Sequence, residues 1–468
     1  MRHLGRWTGS WLLLGHLAVT AAWAQSPALV ITGTTLWDGS GAPARPSTTV
    51  VVEGGRIRCV GTAKACPAPR GATRIDGTGR FLLPGLIDTH VHLLLRQNGV
   101  TDTTIKADLH DLLARGVTAV RDMGNNPPQL RIAVDSAGPA PRVFAMQLVA
   151  GINFFRPETE RTEDGHIRNH APASTGMRQL GWWPIMFTLQ GDAQQVVDEA
   201  RKAGAIGLKL YQDLDTIQIA RLVAAAHAAG MPVWGHAWVQ PSSVGEQARA
   251  GQDGVVHAAG LVGELIGVAT RDTARGSSSL LEITADSATP ESASRPQVLA
   301  ALDTMHARGT FLEPTLQAEL LGAERARATQ RRLTLAQRYA LAGSGFGIAA
   351  TREAIRHGVR LTAGTDHVAY GPADERPQLA DELALFVDSL GMAPAQALLA
   401  ATRDAAIALG KSGDSLGTVK AGNYADLVLF SADPLADIRS LTKVEWVMKE
   451  GVVYRPEDLR AIGRAPSP

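Results

Sequence analysis

Cysteine is scarce in this 468-residue chain: there are two, Cys59 and Cys66, too few to hold a zinc ion by thiolates alone. They flank a short turn-like stretch, Gly61 to Lys64. In an oxidising compartment they would form a hairpin disulfide; otherwise they are two small residues on adjacent strands, and spacing does not choose. Charge of one sign is also lacking. With 46 basic and 45 acidic residues mixed along the chain, the formal net charge is +1, which leaves no basic field to hold nucleic acid or an anionic membrane. Nor is there an apolar run of the roughly 18 to 20 residues that a membrane span needs; Trp11 to Ala22 falls short. No internal repeat or low-complexity tract stands out. Hydrophobic residues at 45% and charged residues at 19% exclude disorder and fibre, and there is ample material for one large and one small domain.

What is present begins with an address. Arg2 and Arg6 precede the apolar run, and Ala22-Trp23-Ala24 has the small-x-small pattern of a leader cleavage site. This predicts a signal peptide over 1–24, cut after Ala24, and an exported product, periplasmic or secreted, with no membrane attachment afterwards. No Cys follows the cut, so a lipid anchor is not indicated.

Residues 25–80 read as short β-branched runs separated by glycines: Leu29 to Ile31, Thr49 to Val52, Arg56 to Val60. From Phe81 brief apolar strands alternate with Ala-rich helical stretches. Eight strands are predicted, over Leu82–Thr89, Val117–Asp122, Arg142–Leu148, Gly207–Tyr211, Pro232–His236, Gly254–His257, Thr310–Pro314 and Arg360–Thr365. Eight such units predict an α/β fold, a (β/α)8 TIM barrel over 81–412. Residues 413–468 return to β texture, so the two chain ends are expected to build one small β-sandwich domain beside the barrel. The connection from about Ala150 to Gly204 is long and carries Phe154, Phe155, His166, His170, Trp182 and Trp183, either a lid or a surface excursion with its own helix.

The chemistry sits at the strand ends. In Asp88-Thr89-His90-Val91-His92 two imidazoles stand two residues apart, and a strand's period of two puts both on one face. Lys209 closes the fourth strand, His236 the fifth, His257 the sixth and Asp366 the eighth. Barrel active sites are assembled at this carboxyl face, and imidazole with carboxylate is a donor set for catalytic metals. His367, beside Asp366, either touches substrate or supports the site. Tyr211, two residues past Lys209 on the same face, is a substrate-binding candidate or a packed aromatic at the rim. Arg156, His166, His170 and Arg178 are candidates to receive a substrate carboxylate; His170 is carried forward as the substrate-binding residue.

The run Leu83-Pro84-Gly85-Leu86-Ile87-Asp88-Thr89-His90-Val91-His92 and the later Thr362-Ala363-Gly364-Thr365-Asp366 resemble the amidohydrolase superfamily. Gly116 to Gly124 and the lysine strand are similar to its imidazolonepropionase-like and prolidase-like branch, and the likeness spans nearly the whole mature chain. It implies two divalent ions, zinc by default, with Lys209 carboxylated on its Nζ to bridge them. His90, His92 and Asp366 would hold the more buried ion, and His236 and His257 the outer one. A protonated lysine has no lone pair and repels cations, so metal binding needs it modified or neutral; otherwise Lys209 is an ion-pair residue with a single metal below.

The expected reaction is cleavage of an amide or peptide bond in a small molecule by a metal-bridging hydroxide. The candidates are a dipeptide, an Xaa-Pro-like substrate or an N-acyl amino acid, with Asp366 as the proton carrier. The alternatives are a mononuclear deaminase or cyclic amidase, a lactonase or organophosphate hydrolase, and an exported metal-binding protein without turnover. Relatives in such a family often associate, which leaves a homo-oligomer open.

Overall fold

The computed structural model describes residues 28–94, 102–155, 184–237, 239–267, 285–368 and 377–464. The leader, Arg156, His166, His170 and Arg178 lie outside the described residues.

The β-branched runs near the amino end fold as predicted into β1 (Leu29–Leu36), β2 (Arg45–Glu53) and β3 (Arg56–Gly61), an antiparallel meander. Two further strands, β4 (Thr73–Asp76) and β5 (Phe81–Pro84), pair in parallel with β1. A disulfide joins Cys59 on β3 to Cys66 in the turn that follows, so the bridge ties a strand to its own turn rather than two strands of a hairpin.

The barrel strands follow: β6 (Leu86–His92), β7 (Val117–Asp122) and β8 (Arg142–Ala150), with β9 (Ile185–Met186) added to β8. Then come β10 (Gly207–Leu210), β11 (Val233–His236), β12 (Gly254–Val256) and β13 (Phe311–Glu313). All pair in parallel in chain order, and their residues are almost wholly buried, as expected of strands covered on both faces. The helices between them are set by their caps. Asp192 accepts from the Gln194 amide at the start of Ala193–Ala203, which stops at Gly204 in the left-handed conformation; Asp215 and Gln218 close a capping box on Thr216–Ala228. Val196, Val197, Ala200, Ile219 and Leu222 turn their faces inward onto β10 and β11.

Two predicted strands need correction. Leu82–Thr89 is not one strand: Phe81–Pro84 joins the outer sheet and Leu86–His92 joins the barrel, because the Gly85 amide turns to the Asp426 carbonyl at 2.8 Å. Arg360–Thr365 occupies the eighth position without being a regular strand. It bridges Leu312 at Leu361 and donates from Thr362 N to Leu312 O, but Ala363 N goes to Ala400 O and Thr365 N to the Asp88 side chain. With its amides divided among three partners it cannot make a ladder. Closure onto β6 comes from Thr89 N to Ala363 O and from the short β14 (His367–Val368) beside Val91 and His92.

The carboxyl end returns as β15 (Leu427–Phe430), β16 (Val444–Lys449) and β17 (Val452–Tyr454). β15 lies antiparallel to β5, with Leu429 opposite Leu82, so strands from both chain ends form a single eight-stranded sheet beside the barrel. Ile31, Val50, Leu82, Leu427, Leu429 and Trp446 make its core. No helix among the described residues is long and apolar enough to cross a membrane.

Candidate metal centre

His90 and His92 leave β6 on the same face, as the strand period requires, and their Nε2 atoms stand 3.3 Å apart. Asp366 reaches them from the opposite side of the seam. Its Oδ1 is 3.3 Å from each of the two nitrogens, so three donor atoms form a triangle of equal sides. A tetrahedral ion with bonds of about 2.0–2.1 Å needs donor separations of about 3.3–3.4 Å. The donors fit a divalent metal on geometry alone.

Backbone conformation is spent on this arrangement. Asp366, His257 and Thr315 all have positive φ, at 54°, 69° and 51°, in a region where residues with a Cβ are strained. All three lie at the carboxyl ends of barrel elements, and His257 Nδ1 and Thr315 Oγ1 are 2.8 Å apart, so one strained residue fixes the ring of the other. Gly364 lets the eighth segment close in, since a Cβ there would lie 2.6 Å from the His90 Cβ and 2.7 Å from the Glu313 Cδ.

The remaining predicted ligands line the same cavity, about 300 Å³ at the barrel mouth, together with Met123, Leu148, Tyr211, Glu319 and Tyr339. The rings of His236 and His257 are 4.6 Å apart and those of His90 and His257 5.1 Å. Tyr211 meets His236 edge-on at 5.2 Å and Phe154 at 5.4 Å, so it is both a cavity residue and a packed one. Lys209 is 2% exposed, and its Nζ has no hydrogen-bond partner among the described residues.

Electrostatics agree with the donor chemistry. Burial, reinforced by the neighbouring imidazoles and Lys209, drives the His257 ring far below the usual imidazole range, and burial with Lys209 brings His236 down to about 3. Burial also holds His90 well below its ordinary value. These rings are neutral and offer lone pairs. Burial brings the Lys209 amine down to about 7, against the pull of Glu313 and Asp366. For Asp366 burial opposes ionisation, but His90, His92 and Lys209 outweigh it and hold the carboxyl at about 2.

A second layer was not identified as functional from the sequence. Glu313 at the end of β13 places Oε1 2.8 Å from His90 Nδ1, while its Oε2 accepts from Arg121 Nη2 at 2.8 Å and from Thr89 Oγ1. Arg121, with no exposure, lies 3.7 Å over the Trp234 ring and donates to the Thr89 carbonyl. Asp88 takes the amide and hydroxyl of Thr365 and the His90 amide, which pins β6 to the eighth segment; burial raises its carboxyl to about 6. A charge inside an apolar strand was the available signal for Arg121 and Glu313. His367 points away from the cavity onto Asp108 at 2.8 Å, which is the supporting role.

The sequence model of the family described as "Amidohydrolase family" matches residues 81–453. A dihydroorotase of Leifsonia xyli subsp. xyli is 35% identical over 27% of this chain and 26% of its own length. An imidazolonepropionase of Idiomarina loihiensis is 28% identical over 29% of this chain and 44% of its own. The chain thus spans less than half the length of these curated relatives. Among solved structures, a Xaa-Pro dipeptidase with methionine bound in its active site superposes with a TM-score of 0.70, covering 92% of this chain and 100% of that one at 22% identity. At that identity the likeness establishes the barrel and its companion sheet, not the substrate. With the family match extending from β5 to β17, the chain belongs to the amidohydrolase family.

Proposed function

We propose that this protein is an exported metal-dependent hydrolase that cleaves an amide or peptide bond in a small molecule, a dipeptide, an Xaa-Pro-like substrate or an N-acyl amino acid. The equal-sided triangle of His90 Nε2, His92 Nε2 and Asp366 Oδ1 carries the proposal. These three residues would hold a deeper ion, with His236 and His257 contributing to an outer one. Divalent ions bound there would polarise the scissile carbonyl and make water a competent nucleophile near neutral pH.

The chain's own groups do the rest. Lys209 has a neutral amine in reach of neutral pH because burial penalises its ammonium form. Such an amine attacks carbon dioxide, forms an N–C bond, loses a proton and becomes a carbamate with two oxygen donors. That change removes the mismatch of an unpartnered buried Nζ in a cavity of metal ligands. Asp366 uses Oδ1 toward the two imidazoles, which leaves Oδ2 to accept the proton of the attacking water and return it to the departing nitrogen. The cavity of about 300 Å³ suits a substrate of dipeptide size. The Cys59–Cys66 disulfide supports an oxidising compartment and so the exported reading.

A second reading, a cyclic amidase, is favoured by the names of the two curated relatives. Elemental analysis of the purified protein, paired with a screen of dipeptides, N-acyl amino acids and cyclic amides, separates them. Two metals per chain with release of free amino acids supports the first reading. One metal with turnover confined to cyclic amides replaces it with the second.

A further inference from the structure

We infer that Glu319 forms an amine subsite in the catalytic cavity, so that the favoured substrates carry a free, protonated amino group close to the scissile bond. This rests on the amide-hydrolase reading above and narrows its substrate class to dipeptides over N-acylated amino acids.

Glu319 stands in the first turn of the helix Leu316–Ala328 and lines the cavity that holds the candidate ligands. Its Oε1 accepts from the Ala259 amide at 3.3 Å. Its Oε2 has essentially no accessible surface, toward the cavity as toward bulk solvent, and no hydrogen-bond partner among the described residues, so an amine meets it through a rotation of the carboxyl group. The position is built rather than incidental. On the helix Leu335–Arg356, Tyr339, Gly343 and Gly347 repeat at intervals of four and so share a face. A Cβ at Gly347 would lie 2.6 Å from Glu319 Oε2, and one at Gly343 would lie 3.2 Å from the Ala259 Cβ. The two glycines therefore admit the carboxylate and the Ala259 turn, while Tyr339 continues into the cavity beside them.

Among the described residues no cationic side chain pairs with this carboxylate. Burial raises its pKa well above the usual carboxylate range, and Glu382 and Asp366 push the same way; only the Ala259 amide opposes. The buried guanidinium of Arg121 is engaged by Glu313. A buried carboxylate with one neutral donor is costly, and the group that best relieves it is a positive one with several N–H donors. A substrate ammonium has three donors and a full charge. An N-acylated substrate offers one neutral N–H at the same place. A purely structural Glu319 would need only the acceptor that Ala259 uses, which a glutamine supplies equally well.

The test compares a dipeptide bearing a free amino terminus with its N-acetyl derivative on the metal-loaded wild type and on Glu319→Gln, with thermal denaturation as the check on folding. The wild type should prefer the free dipeptide in kcat/KM by about 10- to 100-fold, the scale of one hydrogen-bonded charge. Glu319→Gln should erase that preference through KM and leave the N-acetyl substrate within a few-fold of wild type. Equal wild-type rates on the two substrates overturn the amine subsite and leave amide hydrolysis standing, and this comparison needs no variant. Equal loss on both substrates in a folded Glu319→Gln overturns it as well. Release of no amino acid from either substrate by the two-metal protein removes the hydrolase reading, and the subsite with it.

Discussion

Glu313 Oε1 lies 2.8 Å from Nδ1 of His90, with both side chains shielded from solvent. The contact fixes the proton of the ring on Nδ1 and turns the lone pair of Nε2 toward the cavity. A carboxylate behind a ligating imidazole raises its basicity and locks its rotamer. Glu313→Gln should therefore weaken metal affinity by about 10- to 100-fold, measured by competition with a chelator. Affinity equal to wild type would mean that the strand alone orients His90.

Lys209→Ala should lower the metal content from two ions per chain toward one and abolish turnover. Labelled bicarbonate added to the wild type should give a carbamate carbon resonance that the variant lacks. A variant with two tightly bound ions and full activity would remove the lysine from the site.

Asp366→Asn keeps the shape of the side chain but not its basicity. Turnover should fall by about 10²- to 10⁴-fold, the usual contribution of a positioned acid–base group, while the melting temperature stays close to wild type. Near-normal turnover would show that another group carries the proton.

Glu382 provides a pH prediction away from the metal ligands. It is fully buried and accepts from the Leu316 and Gln317 amides at 2.9 and 2.7 Å, at the amino end of Leu316–Ala328. Burial outweighs those donors and pushes its carboxyl from 4.5 up to about 8. A raised folded value means that the contribution to stability is complete below 4.5 and is lost as pH climbs through about 8. Glu382→Gln gives up one acceptor and the titration together. Its melting temperature should start below wild type near pH 5, and the gap should narrow steadily toward pH 8. A gap that is constant across this range would contradict the assignment.

How much of this was legible depends on the element that carries each residue. His90 and His92 were readable because a strand alternates faces, and Lys209 because it closes a predicted strand at the carboxyl face of the barrel. Glu313 closes β13 in the same way, yet its oxygens are taken by His90, Arg121 and Thr89; only its distance to His90 reveals its part. Glu319 and Tyr339 sit on helices beyond the strands, where tertiary packing alone decides which face meets the cavity. The barrel was legible as a repeat of apolar runs. Its eighth segment was not a regular strand because Ala363 bonds to Ala400, a partner that local pattern does not disclose. The disulfide was left open by spacing and closed by the turn that brings Cys66 back to β3.

The pairing of β5 with β15 also sets a timetable for the newborn chain. Leu82 meets Leu429 only after the entire barrel has been synthesised. Until then the edge of β5 has no neighbour on that side, and its apolar Leu82 and Leu83 face whatever else is at hand. A strand edge kept waiting in this way is a template for the wrong partner. A chain stopped short of Leu427 would leave that edge open permanently, so loss of the final strands should be seen first as aggregation during synthesis, before any defect in catalysis could be measured.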